Sequence, residues 1–549
     1  MSGRSKPHPP AEVVVIGGGI AGLASAALLA RSGYSVTLLE AHATLGGRAG
    51  SWEKDGFRFD TGPSWYLMPE VFDHFYRLLG TTAAEQLELV TLDPGYRVYF
   101  EGQRDPIDLT AERDENLEIF ERVRKGSGRR LAKYLDSAAL TYDLAKRYFL
   151  YTSFQSIRPL LVDPVVRRMP QLVRLLTTPL SSLTRRTVKD DRLRKILGYP
   201  AVFLGSSPYE APSMYHLMSH LDLAEGVLYP LGGFTRVIES IAALAESEGV
   251  TITRSATATR IVVEGGAAVG VEYTDPRKRS HVVRADLVVS TADLHFSETH
   301  LLAPEQQTYG QQYWDRATPG PSALLLYLGV KGDLPELEHH TLMFTEDWRA
   351  GFDAIFGADQ HVPQPASLYV CKPSGVDSSV APDGSENVFV LVPLPADVSI
   401  GKGGVAGKGD KAIEKLADAV IQQISDWAGI PDLASRITVR RTVGPADFAK
   451  DLNAWRGTAL GPAHTLRQSA MFRARNVSKK VKGLYFAGGS TIPGVGLPMC
   501  LISAEVLIKR INGDGSTGPL AEPLERPAAA ATTAPARSAA GVPDSASTA

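Results

Sequence analysis

The sequence predicts an α/β protein, and three observations predict it. Near the N-terminus a continuous apolar run, Val13-Val14-Val15-Ile16, leads directly into glycines and then into a helical pattern. The same style returns over residues 226–295, and a strand, a glycine-rich turn and a helix close the pattern between 471 and 512. Continuous apolar strands suit a parallel sheet covered on both faces, and the helices between them supply the crossovers. The expectation is a Rossmann-like domain assembled from three segments, 11–82, 226–295 and 471–512, with an inserted α+β domain built from 83–225 and 296–470.

Each element has its own reason. From Ile20 to Arg31 the apolar and small residues Ala21, Leu23, Ala24, Ala27 and Leu28 recur at helical spacing, and Ser32-Gly33 supplies the stop. Val36, Leu38 and Leu39 then form a second strand ending at Glu40, so a βαβ opening fits within about 30 residues. Gly232-Gly233-Phe234 opens a helix through Ala245, and a strand-rich stretch follows it to Leu287-Val288-Val289-Ser290-Thr291. Leu484-Tyr485-Phe486-Ala487 reads as a strand and Leu497–Arg510 as the last helix. From 513 to 549 the composition collapses into Ala, Pro, Ser and Thr, and a disordered tail is expected because so little apolar area offsets the ordering entropy.

Composition bounds the function. With 549 residues, 44% of them hydrophobic and 21% charged, the chain has ample material for large cores. Fifty-eight Lys and Arg against 60 Asp and Glu leave a net charge of −2, which offers no field to gather nucleic acid. Cys371 and Cys500 are the only cysteines, so a disulfide scaffold is excluded, no metal site is expected and a reducing, cytoplasmic setting fits. No secretory h-region and no run of 18 apolar residues occurs, so contact with a membrane would be peripheral.

Gly17-Gly18-Gly19-Ile20-Ala21-Gly22 satisfies G-x-G-x-x-G between a strand and a helix. Gly17 permits the tight turn, Gly19 lets backbone approach a pyrophosphate, Gly22 allows helix to pack on strand, and Ile20 and Ala21 begin the helix whose N-terminus favours an anion. Glu40, eighteen residues past Gly22, stands close to where an acid takes the ribose hydroxyl. Together these predict dinucleotide binding. Gly46-Gly47-Arg48, a second flexible turn bearing a guanidinium, follows at once and favours FAD over a nicotinamide. Near the C-terminus Gly488, Gly489 and Gly496 precede the last helix and permit close backbone approach to a flavin ring. Cys500, within that helix, reads as a small hydrophobe.

VVVIGGGIAGLASAALLARSGYSVTLLEAHATLGGRAGS, FRFDTGPSWYLMPEVFDHF and GPAHTLRQSAMFRARNVSKKVKGLYFAGGSTIPGVGLPMCLISAEVLIKRI closely resemble the bacterial-type phytoene desaturases, over about residues 11–512. The resemblance implies an amine-oxidase-like flavoprotein that removes hydrogens from an acyclic polyene, taking 15-cis-phytoene toward lycopene-type carotenes. It also implies that the pyrophosphate turn is Gly17, Gly19 and Gly22, the ribose acid Glu40, and the second clamp Gly46, Gly47 and Arg48. Gly62 and Ser64 of the second segment join the cofactor site on the same ground, and Gly488-Gly489 is the closing flavin turn, where many relatives read Gly-Ala. A desaturase of another carotenoid, a flavin amine oxidase and a non-redox carotene isomerase of the same fold are the competing readings.

Removing a hydride needs a two-electron acceptor, which no side chain provides; the flavin does, and a quinone or oxygen would reoxidise it. His216, His220, Asp293, His295 and His464 are the candidate bases, and no catalytic residue is assigned among them, since positioning can replace a base. Phe149-Leu150-Tyr151, Tyr199–Leu204 and Met214–Met218 offer aromatic and thioether walls for a polyene. Residues 156–195 interleave ten Lys and Arg with leucines and valines, a pattern suited to a peripheral membrane surface.

Overall fold

The computed structural model describes residues 11–155 and 161–527. Strand β1 (Glu12–Ile16), helix α1 (Ile20–Arg31) and strand β2 (Ser35–Leu39) form the opening unit. Gly33, at φ +90°, turns the chain after α1 where the sequence placed the stop. β1 lies at the centre of a five-stranded parallel sheet, whose order is Leu484–Phe486, Leu287–Ser290, β1, β2 and Thr251–Thr253. Three distant stretches of chain thus supply one sheet. β1 from Val13 to Ile16 and its neighbour Leu287–Ser290 are buried on both faces, and α1, Gly233–Ser247 and Leu497–Asn512 pack on one side of the sheet.

A second sheet has seven strands in the order Ile437–Val443, Ser322–Lys331, Ser385–Leu394, Leu368–Cys371, His340–Phe344, Tyr96–Phe100 and Ile107–Leu109. It draws on both 83–225 and 296–470. All its pairings are antiparallel except His340–Phe344 with Tyr96–Phe100. One face packs on Lys411–Ala428, which buries Ile413, Leu416, Val420, Ile421 and Ile424 at helical spacing. The other face packs against helices from 113–223 and the strand Phe57–Asp60.

The tail departs from expectation. Residues 513–527 pack on the parallel-sheet domain: Lys509 Nζ donates to the carbonyls of Ser516 and Gly518 at 2.8 and 2.6 Å, the Leu524 N–H donates to Leu78 O at 3.0 Å, and His74 sits between Glu505 and Glu522. Leu520 and Leu524 supply the apolar contacts that the alanine- and proline-rich average over 513–549 hides. The remainder, 528–549, lies outside the described residues.

Candidate functional site

The turn after β1 is built from backbone requirements. Gly17 adopts φ +102°, and a Cβ on Gly22 would stand 1.9 Å from Gly17 O, so only glycine lets α1 lie this close to the strand. A Cβ on Gly19, by contrast, would meet only Gly46 O, at 3.8 Å, so open space borders this part of the turn. Gly46, at φ +110°, donates to Gly18 O at 2.9 Å and draws the second turn against the first.

Glu40 is 6% exposed. Its Oε2 accepts from Gly18 N–H at 2.6 Å and its Oε1 from His42 N–H at 2.8 Å, which fixes the carboxylate and leaves lone pairs for a further donor. Arg48 Nε donates to Ala459 O at 2.9 Å, whereas its Nη2, 3.7 Å from Asp293 Oδ2, is buried without a hydrogen-bond partner. A Cβ on Gly62 would stand 2.1 Å from Arg48 O, so Gly62 acts by letting two backbones touch. The Ser64 hydroxyl lies 2.6 Å from Tyr369 Oη. Gly488 donates to Ser503 Oγ at 3.0 Å, the Gly489 carbonyl accepts from buried Arg473, and Gly496 leads into the helix Leu497–Asn512.

These residues meet in one cavity of about 940 Å³. Gly17, Gly19, Ile20, Ala21, Glu40, Gly46, Gly47, Arg48, Gly62, Ser64, Gly488, Gly489 and Gly496 all line it. Gly22 does not; its part is the packing of helix on turn. A dinucleotide fits this end: the glycines leave space, the α1 N-terminus faces in, and Arg48 Nη2 is an unpaired donor beside the cavity.

Away from the glycines the lining turns apolar and aromatic. Of the predicted walls, Phe149, Leu150, Tyr199, Val202, Phe203, Leu204, Met214, Tyr215, Leu217 and Met218 reach the cavity, whereas Tyr151, Pro200, Ala201 and His216 do not. Sequence reasoning missed the contribution of the seven-stranded sheet and its neighbouring helix: Tyr327, Leu342, Phe344, Tyr369, Trp348 and Phe352. Their strands are buried on both faces and show no alternation, so their sequence does not separate cavity wall from core.

It also missed Asp222, 3% exposed at the back of the arm, which accepts hydrogen bonds from Tyr96 and from the lining residue Tyr199. Burial pushes its carboxyl up to about 6.

Among the five candidate bases only Asp293 and His464 line the cavity. Asp293 caps the helix Leu294–Thr299 and accepts from His295 N–H at 3.0 Å. His464 Nδ1 contacts Leu204 O at 2.9 Å, and burial holds its imidazole neutral, well below the usual range. His216 contacts Ser137, His220 pairs with Glu225, and His295 lies among Trp314 and Trp455. Burial pushes the Cys500 thiol up to about 11, in keeping with a packing role.

The basic stretch is divided by the structure; its first residues, 156–160, lie outside the described ones. Leu161, Val166, Met169 and Val173 are exposed to 63%, 48%, 39% and 47%, beside Arg167, Arg168 and Arg174. Arg167 pairs with Asp163, and further along Arg192 pairs with Asp190 and the buried Lys195 with Asp191. Among the described residues no helix is long and apolar enough to cross a membrane.

Residues 20–505 match the model of the family described as flavin containing amine oxidoreductase. A carotenoid 3,4-desaturase of Haloarcula japonica is 40% identical over 502 residues, covering 90% of this chain and 96% of that protein. A zeta-carotene-forming phytoene desaturase of Myxococcus xanthus is 35% identical over 500 residues, covering 91% and 93%. In fold, an oxidoreductase from Methanosarcina mazei superposes with a TM-score of 0.58 at 15% identity, covering 91% of this chain and 100% of that one. The chain belongs to the flavin-containing amine oxidoreductase family, and is an oxidoreductase whose cofactor is FAD.

Proposed function

We propose that the protein desaturates an acyclic carotenoid, with 15-cis-phytoene as substrate and lycopene-type conjugated carotenes as the direction of the reaction. The observation that carries this reading is the continuity of the cavity: a glycine-lined end sized for a dinucleotide opens into an aromatic, apolar arm. A polyene gains by leaving water for such a surface, at roughly 25 cal/mol per Å² of apolar area, while a soluble amine would find few polar partners there. The relatives named for carotenoid desaturation support the same substrate class.

In this reading Gly17, Gly19, Ile20 and Ala21 present backbone N–H groups to the pyrophosphate, Glu40 accepts from the adenosine ribose, and Gly46, Gly47 and Arg48 clamp the far side. Gly62, Ser64, Gly488, Gly489 and Gly496 border the flavin. FAD, when bound, accepts the hydride removed from a CH–CH unit, and a quinone or oxygen later takes the two electrons. The arm's contribution is to hold the reacting carbons in place and exclude water; the cation left beside the polyene then loses a proton without an assigned base. The exposed apolar residues Leu161, Val166, Met169 and Val173, with their arginines, dock on anionic lipid at the cytoplasmic face, from which the substrate enters.

Two assays test this. Liposomes carrying 15-cis-phytoene, incubated with the FAD-loaded protein and a quinone, should yield longer conjugated polyenes on chromatography. No product from phytoene, with turnover of soluble amines, would refute the reading. The 40% identity to a carotenoid 3,4-desaturase favours one alternative, a later and already conjugated carotene, which would then be the substrate that reacts. Charge reversal at Arg167, Arg168 and Arg174 should weaken liposome binding, and unchanged binding would remove the membrane surface from the account.

A further inference from the structure

Behind the aromatic wall lies a cluster that the cavity does not use. His339, His340 and Cys371 are 5%, 0% and 3% exposed. Their ligating atoms lie within 4.8 Å of one another. Strand register brings them together: in the antiparallel pair of His340–Phe344 with Leu368–Cys371, His340 stands directly opposite Cys371, and directly opposed residues present their side chains on the same face. The Lys372 N–H donates to the His339 carbonyl at 2.8 Å and holds the preceding residue against that end of the ladder.

The polar accounting of this cluster does not close. Both ring nitrogens of His339 and the Nε2 of His340 are buried without a hydrogen-bond partner. Leaving such an atom without a partner is destabilising, and native proteins rarely leave several together. The neighbours that fill the space offer ring faces and edges instead: Trp65 stacks on His340 at 4.3 Å and Tyr229 meets His339 at 4.5 Å. His340 Nδ1 lies 2.7 Å from Tyr369 Oη. With the proton on Nδ1 donating to that hydroxyl, Nε2 carries a bare lone pair, and an outer hydrogen bond of this kind orients imidazoles that ligate metals.

We propose that His339, His340 and Cys371 bind one divalent cation of the zinc class. Two imidazole nitrogens and a thiolate are a donor set such ions accept. With bonds of about 2.0 Å to nitrogen and about 2.3 Å to sulfur, ligand atoms as far apart as 4.8 Å need to draw together by about 1.5 Å. On binding, Cys371 gives up its proton to solvent as the metal–sulfur bond forms, and no electron is transferred. Lys372, next in the chain to Cys371, has its ammonium 3.6 Å from Glu386. The ion would tie two strands of the larger sheet together. Through His340, Tyr369 and Ser64 it would also steady the cavity wall without touching the reacting atoms.

Full-length protein from zinc-supplemented growth should contain about one zinc per chain by elemental analysis. After chelation, Co²⁺ titration should give a thiolate-to-cobalt charge-transfer band, read as a difference spectrum over the flavin. Cys371→Ser should abolish the charge-transfer band with FAD absorbance retained. His339→Asn, the second variant should the first not fold, should weaken Co²⁺ binding at least about tenfold. Zinc-free protein that takes up no Co²⁺, or a cobalt spectrum unchanged in either variant, would overturn the proposal.

Discussion

The two ends of the cavity are built on different principles. At the glycine-rich end the backbone itself forms the wall, so particular residue types are required at particular places: a Cβ on Gly22 or Gly62 would stand 1.9 or 2.1 Å from a carbonyl oxygen. At the aromatic arm the side chains recognise, and many apolar residues would fill the same space. The first end is intolerant and leaves a mark in the sequence; the second is adaptable and leaves almost none. Substitutions at the two ends should therefore fail in different ways.

Gly22→Val should give the largest effect. With no room beside Gly17 O, helix and turn must separate, a loss of more than about 4 kcal/mol, and the protein should be recovered without FAD and with a collapsed thermal transition. A variant that keeps its flavin would break the claim that this end is sterically fixed.

Asp222 gives a pH-dependent counterpart at the arm. Its folded-state carboxyl titrates near 6, above its unfolded value, so its contribution to stability is fully present below about pH 4 and is lost as pH rises through about 6. The change is roughly 3 kcal/mol. Urea midpoints across this range should show the decline in wild type, and Asp222→Asn should flatten it.

Glu40→Gln sharpens the comparison from the other side. Replacing the carboxylate weakens charge-assisted hydrogen bonds, one of them to Gly18 N–H, by about 2 kcal/mol in all. FAD affinity should then fall about thirtyfold in titrations of deflavinated protein, with the fold intact. Val202→Trp should have the smallest effect: an indole that narrows the arm should weaken polyene binding about tenfold and leave FAD content as it was, which separates the two ends in one measurement.

The same contrast explains what was legible in the sequence. The run from Val13 to Glu40 could be placed to within a residue or two, because apolar strands, glycine turns and a helix stop all constrain the chain locally. Tyr327, Phe344 and Tyr369 could not be placed, since their strands are apolar throughout and only the tertiary pairing decides which side chains border the cavity. His340 and Cys371 were hidden for the same reason: thirty-one residues apart in the chain, they become neighbours through strand register alone. The stretch from Leu520 to Arg526 was obscured by the alanine-rich composition that follows it, although Glu522 and Arg526 find partners in His74 and Glu248.

The most direct test of the central claim, that polyene and cofactor share one cavity, is to add 15-cis-phytoene in liposomes to the FAD-loaded protein without oxygen and follow flavin and polyene absorbance together. The account predicts loss of the oxidised-flavin band in step with new, red-shifted polyene bands. A flavin that stays oxidised with phytoene and with conjugated carotenes, yet bleaches with a soluble amine, would contradict it.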